Sequence, residues 1–408
     1  MKKIIVVHLG DVFDEKEDLL EDQTPLEVAE TPFFDQISSF SYNGTLARPD
    51  IKDSFSLTSI LSMLLGSQES HHSSVFLAEG IGCDLKEGDI VFKNNFVSLK
   101  PTAKSLSLMD PLGSSLSLEE KMQLTKFLNS NLFQEDGESF FLNTAANGDS
   151  VFVYRKNDSE KRLVSFDQFN SPFEYMGREI DVFPKMQDQS KRFMYIMNES
   201  QMLLSKHPLV VERSKDNFLI ANSIWFYEGS YVNSLNRNFK NQLFKKSSII
   251  SSNIILKGFS GVHEMEFFSN KDYQSNFIEN NDLIFFDKEL SDKYTDPIGK
   301  VNEIQKLDKE MKKFSEDFLK YDSLVLFLFN YPKNTSNYME RGHSFLLTEL
   351  DSGIFRLPRK KITTFDLLCT ISNAISPPEL KTSGFTEKKF KNRKNLSPAI
   401  LGAKIFKG

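Results

Sequence analysis

Apolar positions along this chain fall into short continuous runs and helically spaced stripes. Ile4-Ile5-Val6-Val7 reads as a buried strand and runs into His8-Leu9-Gly10-Asp11. From Thr24 to Gly44, the residues Leu26, Val28, Ala29, Phe33, Phe34, Ile37 and Phe40 form an apolar stripe. Two Thr-Pro pairs, Thr24-Pro25 and Thr31-Pro32, each predict the opening of a helical turn. The hydroxyl accepts from free N–H groups, and proline at the first helical position lacks a donor that a helix start leaves unused. Gly44 is the predicted stop. Leu57 to Leu65 predicts a helix ending at Gly66, and Leu85 to Lys93 a turn feeding a short strand.

The pattern then changes. Ser117 and Glu120 form a capping-box signature ahead of an amphipathic helix through Leu132. Strand signals follow at Ser139 to Leu142 and Val151 to Tyr154, joined by a turn at Asn147-Gly148, and a helix is predicted from Ser190 to Leu204. Strand–helix alternation resumes after about residue 220. Ile249 to Leu256 is apolar and ends at Lys257-Gly258, and Asp282 to Asp287 is a strand with charged ends. Val301, Ile304, Leu307, Met311, Phe314 and Phe318 recur at helical spacing, followed by a strand at Leu324 to Phe329 and a last helix at Phe365 to Ile375. These elements predict an α/β core in two parts, 1–96 and 221–376, split by an α+β insertion at 97–220. A basic tail, 377–408, follows Pro377-Pro378 and carries eight Lys or Arg between Lys381 and Lys407 against one acid, Glu387.

Composition narrows the function classes. The chain has 408 residues, a formal charge of -6 and 39% apolar residues, with a mean hydropathy of -0.35. That balance gives no global pull toward nucleic acid or anionic membrane; only the tail is suited to an anionic partner. The 38 Phe against one Trp reflect compositional bias. Two distant cysteines, Cys83 and Cys369, offer neither a disulfide framework nor metal spacing, so a cytoplasmic location is expected. Ser323 to Phe329 is too short to span a bilayer.

The opening strand, the loop carboxylate and the TPLEVAETPFFD helix together resemble the start of alkaline-phosphatase-superfamily enzymes. They are most similar to the archaeal-type cofactor-independent phosphoglycerate mutases. Further pieces follow in the same order: Phe76 to Phe96, Asn147 to Arg155, His207-Pro208, Glu212-Arg213-Ser214-Lys215, Ala221-Asn222, Leu256-Lys257-Gly258, and Gly299 to Glu310. The resemblance covers most of residues 1–376. It implies an alkaline-phosphatase-like three-layer core with a central, mostly parallel sheet, interrupted by the small α+β insertion.

The resemblance also implies a reaction: phosphoryl transfer through a covalent intermediate, with an activated hydroxyl, two divalent metals and cationic substrate groups. Two metals take roughly four carboxylates and three histidines at strand ends, and this chain has six histidines. Where the family places its first metal aspartate, the gapless match is Leu9; a small shift offers Asp11, with Asp14 as a second acid. The nucleophile position is Leu57, between Ser56 and Thr58, and the nearby family histidine becomes Leu61. The Asp-Glu-x-x-His-x-x-Asp stretch becomes Ser291 to Asp296 and beyond, keeping Asp292 and Asp296. The paired Asp-His after the next strand becomes Asn330-Tyr331. The last family histidine corresponds to His343. His72-Ser73-Ser74 and Ser171-Pro172-Phe173 stand where substrate groups are implied, while Arg356, Arg359, Lys360 and Lys361 keep a basic turn.

The losses are correlated, whereas the folding signals persist. The expected function is that of a degenerate phosphoglycerate-mutase-like protein, without two-metal phosphoryl transfer and without a cofactor, acting in binding, assembly or regulation. Its expected partner is a protein or a phosphate-bearing small molecule. The alternative is an active mutase or phosphatase holding two Mn²⁺ or Zn²⁺ ions. On that reading Ser56 or Thr58 is the nucleophile, Asp11, Asp14, Asp292, Asp296 and His343 are ligands, and Arg356, Arg359, Lys360 and Lys361 bind substrate.

Overall fold

The computed structural model describes residues 3–10, 12, 16–46, 57–65, 73–102, 105–156, 164–166, 169–176, 179–180, 190–215, 220–232, 244, 246–274, 276–288, 296–330, 343–351, 354–356 and 395–396. In chain order the elements are β1 (Lys3–His8), α1 (Pro25–Val28), α2 (Pro32–Ser39), β2 (Tyr42–Leu46), α3 (Leu57–Leu64), α4 (Ser73–Ile81), β3 (Ile90–Pro101), β4 (Leu106–Asp110), α5 (Leu118–Asn131), β5 (Glu138–Thr144), β6 (Ser150–Lys156) and β7 (Glu179–Ile180). They continue with α6 (Lys191–Leu204), α7 (Pro208–Ser214), β8 (Ser223–Tyr231), β9 (Ser247–Ile250), α8 (Ile254–Val262), β10 (Glu266–Phe268), α9 (Asn276–Asn280), β11 (Leu283–Asp287), α10 (Pro297–Phe318), β12 (Ser323–Asn330), β13 (His343–Asp351), β14 (Ile354–Arg356) and β15 (Asn395–Leu396). They form two compact units: Met1–Ser70, Phe239–Asn253 and His263–Gly408 make the first, and His71–Asn238 with Ile254–Val262 the second.

The first unit is built on a nine-stranded sheet in the order β10-β9-β11-β1-β12-β13-β2-β15, with β14 on β13. The run from β10 to β12 is parallel throughout, and Val6 in β1 lies between Phe285 and Leu326. β13 is antiparallel to both β12 and β2. Alternation along β1 sends Ile5, Val7 and Leu9 into one core with Phe33, Phe34 and Ile37 of α2 and Ile304, Leu307 and Met311 of α10. The predicted helix at residues 301–318 is thus the central cover of that face.

The two Thr-Pro pairs behave differently. Thr24 and Glu27 close a reciprocal capping box on α1, whereas the Thr31 side chain makes no capping bond. The start of α2 is instead held by a distant carboxylate: Asp308 of α10 accepts from Phe33 N–H (3.1 Å) and Phe34 N–H (2.9 Å). Gly44 does not stop a helix; α2 ends at Ser39, and Gly44 lies within β2.

The second unit is a six-stranded antiparallel sheet in which β3 carries β6 and β8 along its first part and β4 along its last. Residue 97, the expected start of the insertion, lies inside β3, and Val97 pairs with Ser223 just past its expected end. Phenylalanines fill the core: the Phe92 ring meets those of Phe166, Phe169, Phe193 and Phe226. Lys257-Gly258, where the apolar run from Ile249 ends, lies inside α8. A Cβ on Gly258 would sit 1.8 Å from the Phe76 carbonyl oxygen, and one on Gly80 would sit 2.0 Å from that of Ile254, so α4 and α8 cross backbone to backbone.

Candidate functional site

In a parallel α/β sheet, ligand chemistry gathers beyond the carboxyl ends of the strands. At that edge β9, β11 and β1 end side by side. His8, the last residue of β1, is paired in register with Asp287, the last of β11. Facing the same side of the pleat, the two side chains meet: His8 Nδ1 lies 2.7 Å from Asp287 Oδ1, and both residues are buried. An ionised carboxylate only accepts, so Nδ1 carries the proton. Asp287 Oδ2 accepts from the Ser251 hydroxyl at 2.6 Å. Ser251 follows β9 directly, and its Oγ accepts from Asn253 N–H at 2.8 Å. The Asp287 carbonyl takes Asn270 Nδ2 at 3.1 Å. Each carboxylate oxygen therefore has a donor within the protein, as a buried anion requires.

The family-implied residues divide as follows. Leu9 is wholly buried in the core shared with α2 and α10, so it stands away from any metal chemistry. Asp296 caps α10, accepting from Ile298 N–H (3.2 Å) and Gly299 N–H (3.0 Å). Thr58 is buried in the first turn of α3. His343 opens β13 with its backbone opposite Asn330, at the same sheet edge as His8. Arg356 ends β14, opposite Glu349. Asp11, Asp14, Ser56, Ser291, Asp292, Arg359, Lys360 and Lys361 lie outside the described residues, as does the predicted helix at 365–375.

The described residues do not fit a two-metal centre. Among them no group of three or more His, Cys, Asp or Glu side chains has the spacing to hold a metal ion. Asp287, the carboxylate at the β11 end, is occupied by His8 and Ser251, and Asp296 by its own helix.

In the second unit the resembling residues carry structural bonds. Lys93 on β3 forms an ion pair with Glu228 Oε2 at 2.8 Å, and the same carboxylate accepts from the Ser73 hydroxyl at the start of α4. His207 caps α7 by accepting from Leu209 N–H, and burial lowers its affinity for a proton. Arg213 binds Glu120 and the Ser115 carbonyl, tying α7 to the start of α5. Asn222 clamps Leu99 through both its N–H and its carbonyl.

A family model described as 2,3-bisphosphoglycerate-independent phosphoglycerate mutase matches residues 67–210. A probable enzyme of that name from Geobacter sulfurreducens is 26% identical over 227 residues, 54% of this chain and 54% of its own length. The enzyme from Pyrococcus furiosus is 26% identical over 267 residues, 63% of this chain and 62% of its own length. Over these stretches the chain is similar to the cofactor-independent phosphoglycerate mutases. The match spans little more than half the length of these relatives. The structure of the PH0037 protein from Pyrococcus horikoshii covers 87% of this chain and 91% of its own, with a TM-score of 0.56 at 16% identity. That structure shares this chain's α/β fold, here a mostly parallel nine-stranded sheet in one unit and an antiparallel sheet with helices in the other.

The family model falls almost entirely within the second unit, and every candidate metal ligand, at positions 11, 14, 292, 296 and 343, lies outside it. His8–Asp287–Ser251 escaped the sequence reading because its members are 279 and 36 residues apart. The available signal was a polar residue closing each of two apolar runs, Ile4–His8 and Leu283–Asp287. No helix among the described residues is long and apolar enough to cross a membrane.

Proposed function

We propose that this phosphoglycerate-mutase relative is a degenerate member that has kept the scaffold and lost two-metal phosphoryl transfer. It acts as a cytoplasmic binding, assembly or regulatory protein, with a protein or a phosphate-bearing small molecule as its partner. The observation that carries this reading is the His8–Asp287–Ser251 network. At the strand ends, where the chemistry requires carboxylates turned toward a ligand, Asp287 is turned toward the protein's own donors. With one buried hydrogen bond on each oxygen, Asp287 has its orientation fixed by the protein and fewer lone pairs left for an ion. Leu57 at the nucleophile position supports the same reading, because an alkyl side chain has no lone pair with which to attack phosphorus.

Loss of the centre is cooperative. A metal pair both activates the nucleophile and neutralises the transferred group, so removing several ligands abolishes the rate enhancement. The test is elemental analysis of the full chain purified with Mn²⁺ and Zn²⁺ present, together with a phosphoglycerate mutase assay. The expected result is sub-stoichiometric metal and no turnover. Stoichiometric metal, with turnover abolished by Asp11→Ala, would establish the relocated-ligand enzyme instead.

A further inference from the structure

We propose that the outer edge of β5 is a latent strand-pairing surface for a second copy of this chain, held closed by the side-chain amide of Asn129. β5 is the terminal strand of its sheet and pairs with β6. The hairpin closes through Ala145 N–H to the Asp149 carbonyl. Antiparallel alternation then turns the backbone groups of Ser139, Phe141 and Asn143 toward β6, and those of Glu138, Phe140 and Leu142 outward.

Four of those outward groups are taken up by one segment, the end of α5 and the residues after it. Leu142 N–H donates to Asn129 Oδ1 at 2.7 Å, and Asn129 Nδ2 donates to the Leu142 carbonyl at 2.8 Å. The amide thereby reproduces the pair of bonds that a neighbouring strand residue would make. Gln134 Nε2 takes the Phe140 carbonyl at 3.1 Å, and Glu138 N–H donates to the Glu135 carbonyl at 3.1 Å. An exposed strand edge with unpaired N–H and C=O groups is a template for another chain, and folded proteins cover such edges.

The sequence of β5 favours a second β5 as the occupant. Glu138 is its only charge, and that carboxylate is already bound by Arg192 and by the Tyr154 hydroxyl. The remaining Ser-Phe-Phe-Leu-Asn-Thr is neutral, so two copies meet without like-charge repulsion. Outward groups recur at every second residue, so antiparallel pairing of two such edges satisfies both.

The test is light scattering coupled to size exclusion, over a dilution series, on the full chain and on Asn129→Ala and Asn129→Asp. Asn129→Ala removes both bonds to Leu142; Asn129→Asp keeps the acceptor for Leu142 N–H and removes only the donor, so the fold is retained and half the edge opens. The expected result is a concentration-dependent doubling of molar mass relative to the parent in Asn129→Ala, and a weaker shift in Asn129→Asp. Exchange of the Leu142 amide should accelerate about tenfold in Asn129→Ala in dilute solution. Adding Ser139→Lys, a charge on the exposed face of the edge strand, should return the mass to that of the parent. Parent-like mass in both variants despite faster Leu142 exchange would overturn the proposal. So would association that Ser139→Lys leaves unchanged.

Discussion

His8 Nδ1 meets Asp287 Oδ1 at 2.7 Å, joining the ends of two adjacent parallel strands whose residues are 279 positions apart. Both side chains are almost wholly buried, and Ser251 holds the second oxygen of Asp287. Removing one partner takes a buried polar bond from the other. His8→Ala should therefore cost about 3–5 kcal/mol in urea denaturation. Asp287→Ala should cost a similar amount and also deprive Ser251 of its acceptor. The double substitution His8→Leu with Asp287→Leu should cost clearly less than the sum of the single losses, because it leaves no buried charge unpaired. Additive losses would show that the two residues do not act as a pair.

Asp308 offers a pH-dependent test. Burial in α10 raises its carboxyl above the ordinary value of 3.8, while the Phe34 and Phe33 amides pull it back. The folded state thus holds this proton more tightly than the unfolded state does. The contribution of Asp308 to stability is fully present below the unfolded pKa and declines as pH rises through the folded one. Asp308→Ala leaves two N–H groups of α2 without acceptors and should destabilise at every pH. Its cost should shrink as the pH is raised from about 3 through the raised carboxyl value. Paired denaturation curves across that range check the slope; a cost that grows with pH would contradict it.

Local patterns showed most of the scaffold, because they are written in short windows. Short continuous apolar runs marked β1, β11 and β12, helical spacing marked α10, and Ser117 with Glu120 marked the start of α5. What the sequence left hidden depends on distant partners. The cap of α2 comes from Asp308 rather than the adjacent Thr31, and Gly258, which closes an apolar run in the sequence, serves a helix crossing. The candidate site was legible as a set of substitutions, Leu9 and Leu57 above all. The network that occupies the strand ends was not, since no local rule pairs His8 with Asp287.

The unequal Thr-Pro pairs lead to a direct comparison. Thr24 Oγ1 accepts from Glu27 N–H at 3.2 Å, and the Glu27 carboxylate answers by accepting from Thr24 N–H at 3.0 Å. Thr24→Ala should cost about 1 kcal/mol through loss of this cap. Ser117→Ala on α5 should cost about the same, since its box with Glu120 has the same two bonds. Thr31→Ala removes no capping bond and should show a smaller loss than either. Thermal melts of the three variants rank them, and a Thr31 loss equal to that of Thr24 would refute the assignment of the α2 cap to Asp308.

Gly80 and Gly258 fix how closely α4 and α8 approach. A methyl group on Gly258 would lie 1.8 Å from the Phe76 carbonyl oxygen and 2.6 Å from the Gly80 nitrogen, distances that backbone cannot yield by rotating a side chain. The helices would have to separate, pulling apart the Phe76 and Phe259 rings, now 5.1 Å between centroids. Gly258→Ala should therefore destabilise by about 1–3 kcal/mol or more despite the better helix propensity of alanine. Gly80→Ala, whose methyl would lie 2.0 Å from the Ile254 carbonyl oxygen, should behave likewise. Once one substitution has forced the helices apart, the second meets a crossing already widened. The double variant should then lose less than the sum of the two, a coupling that denaturant titration of all four proteins measures directly.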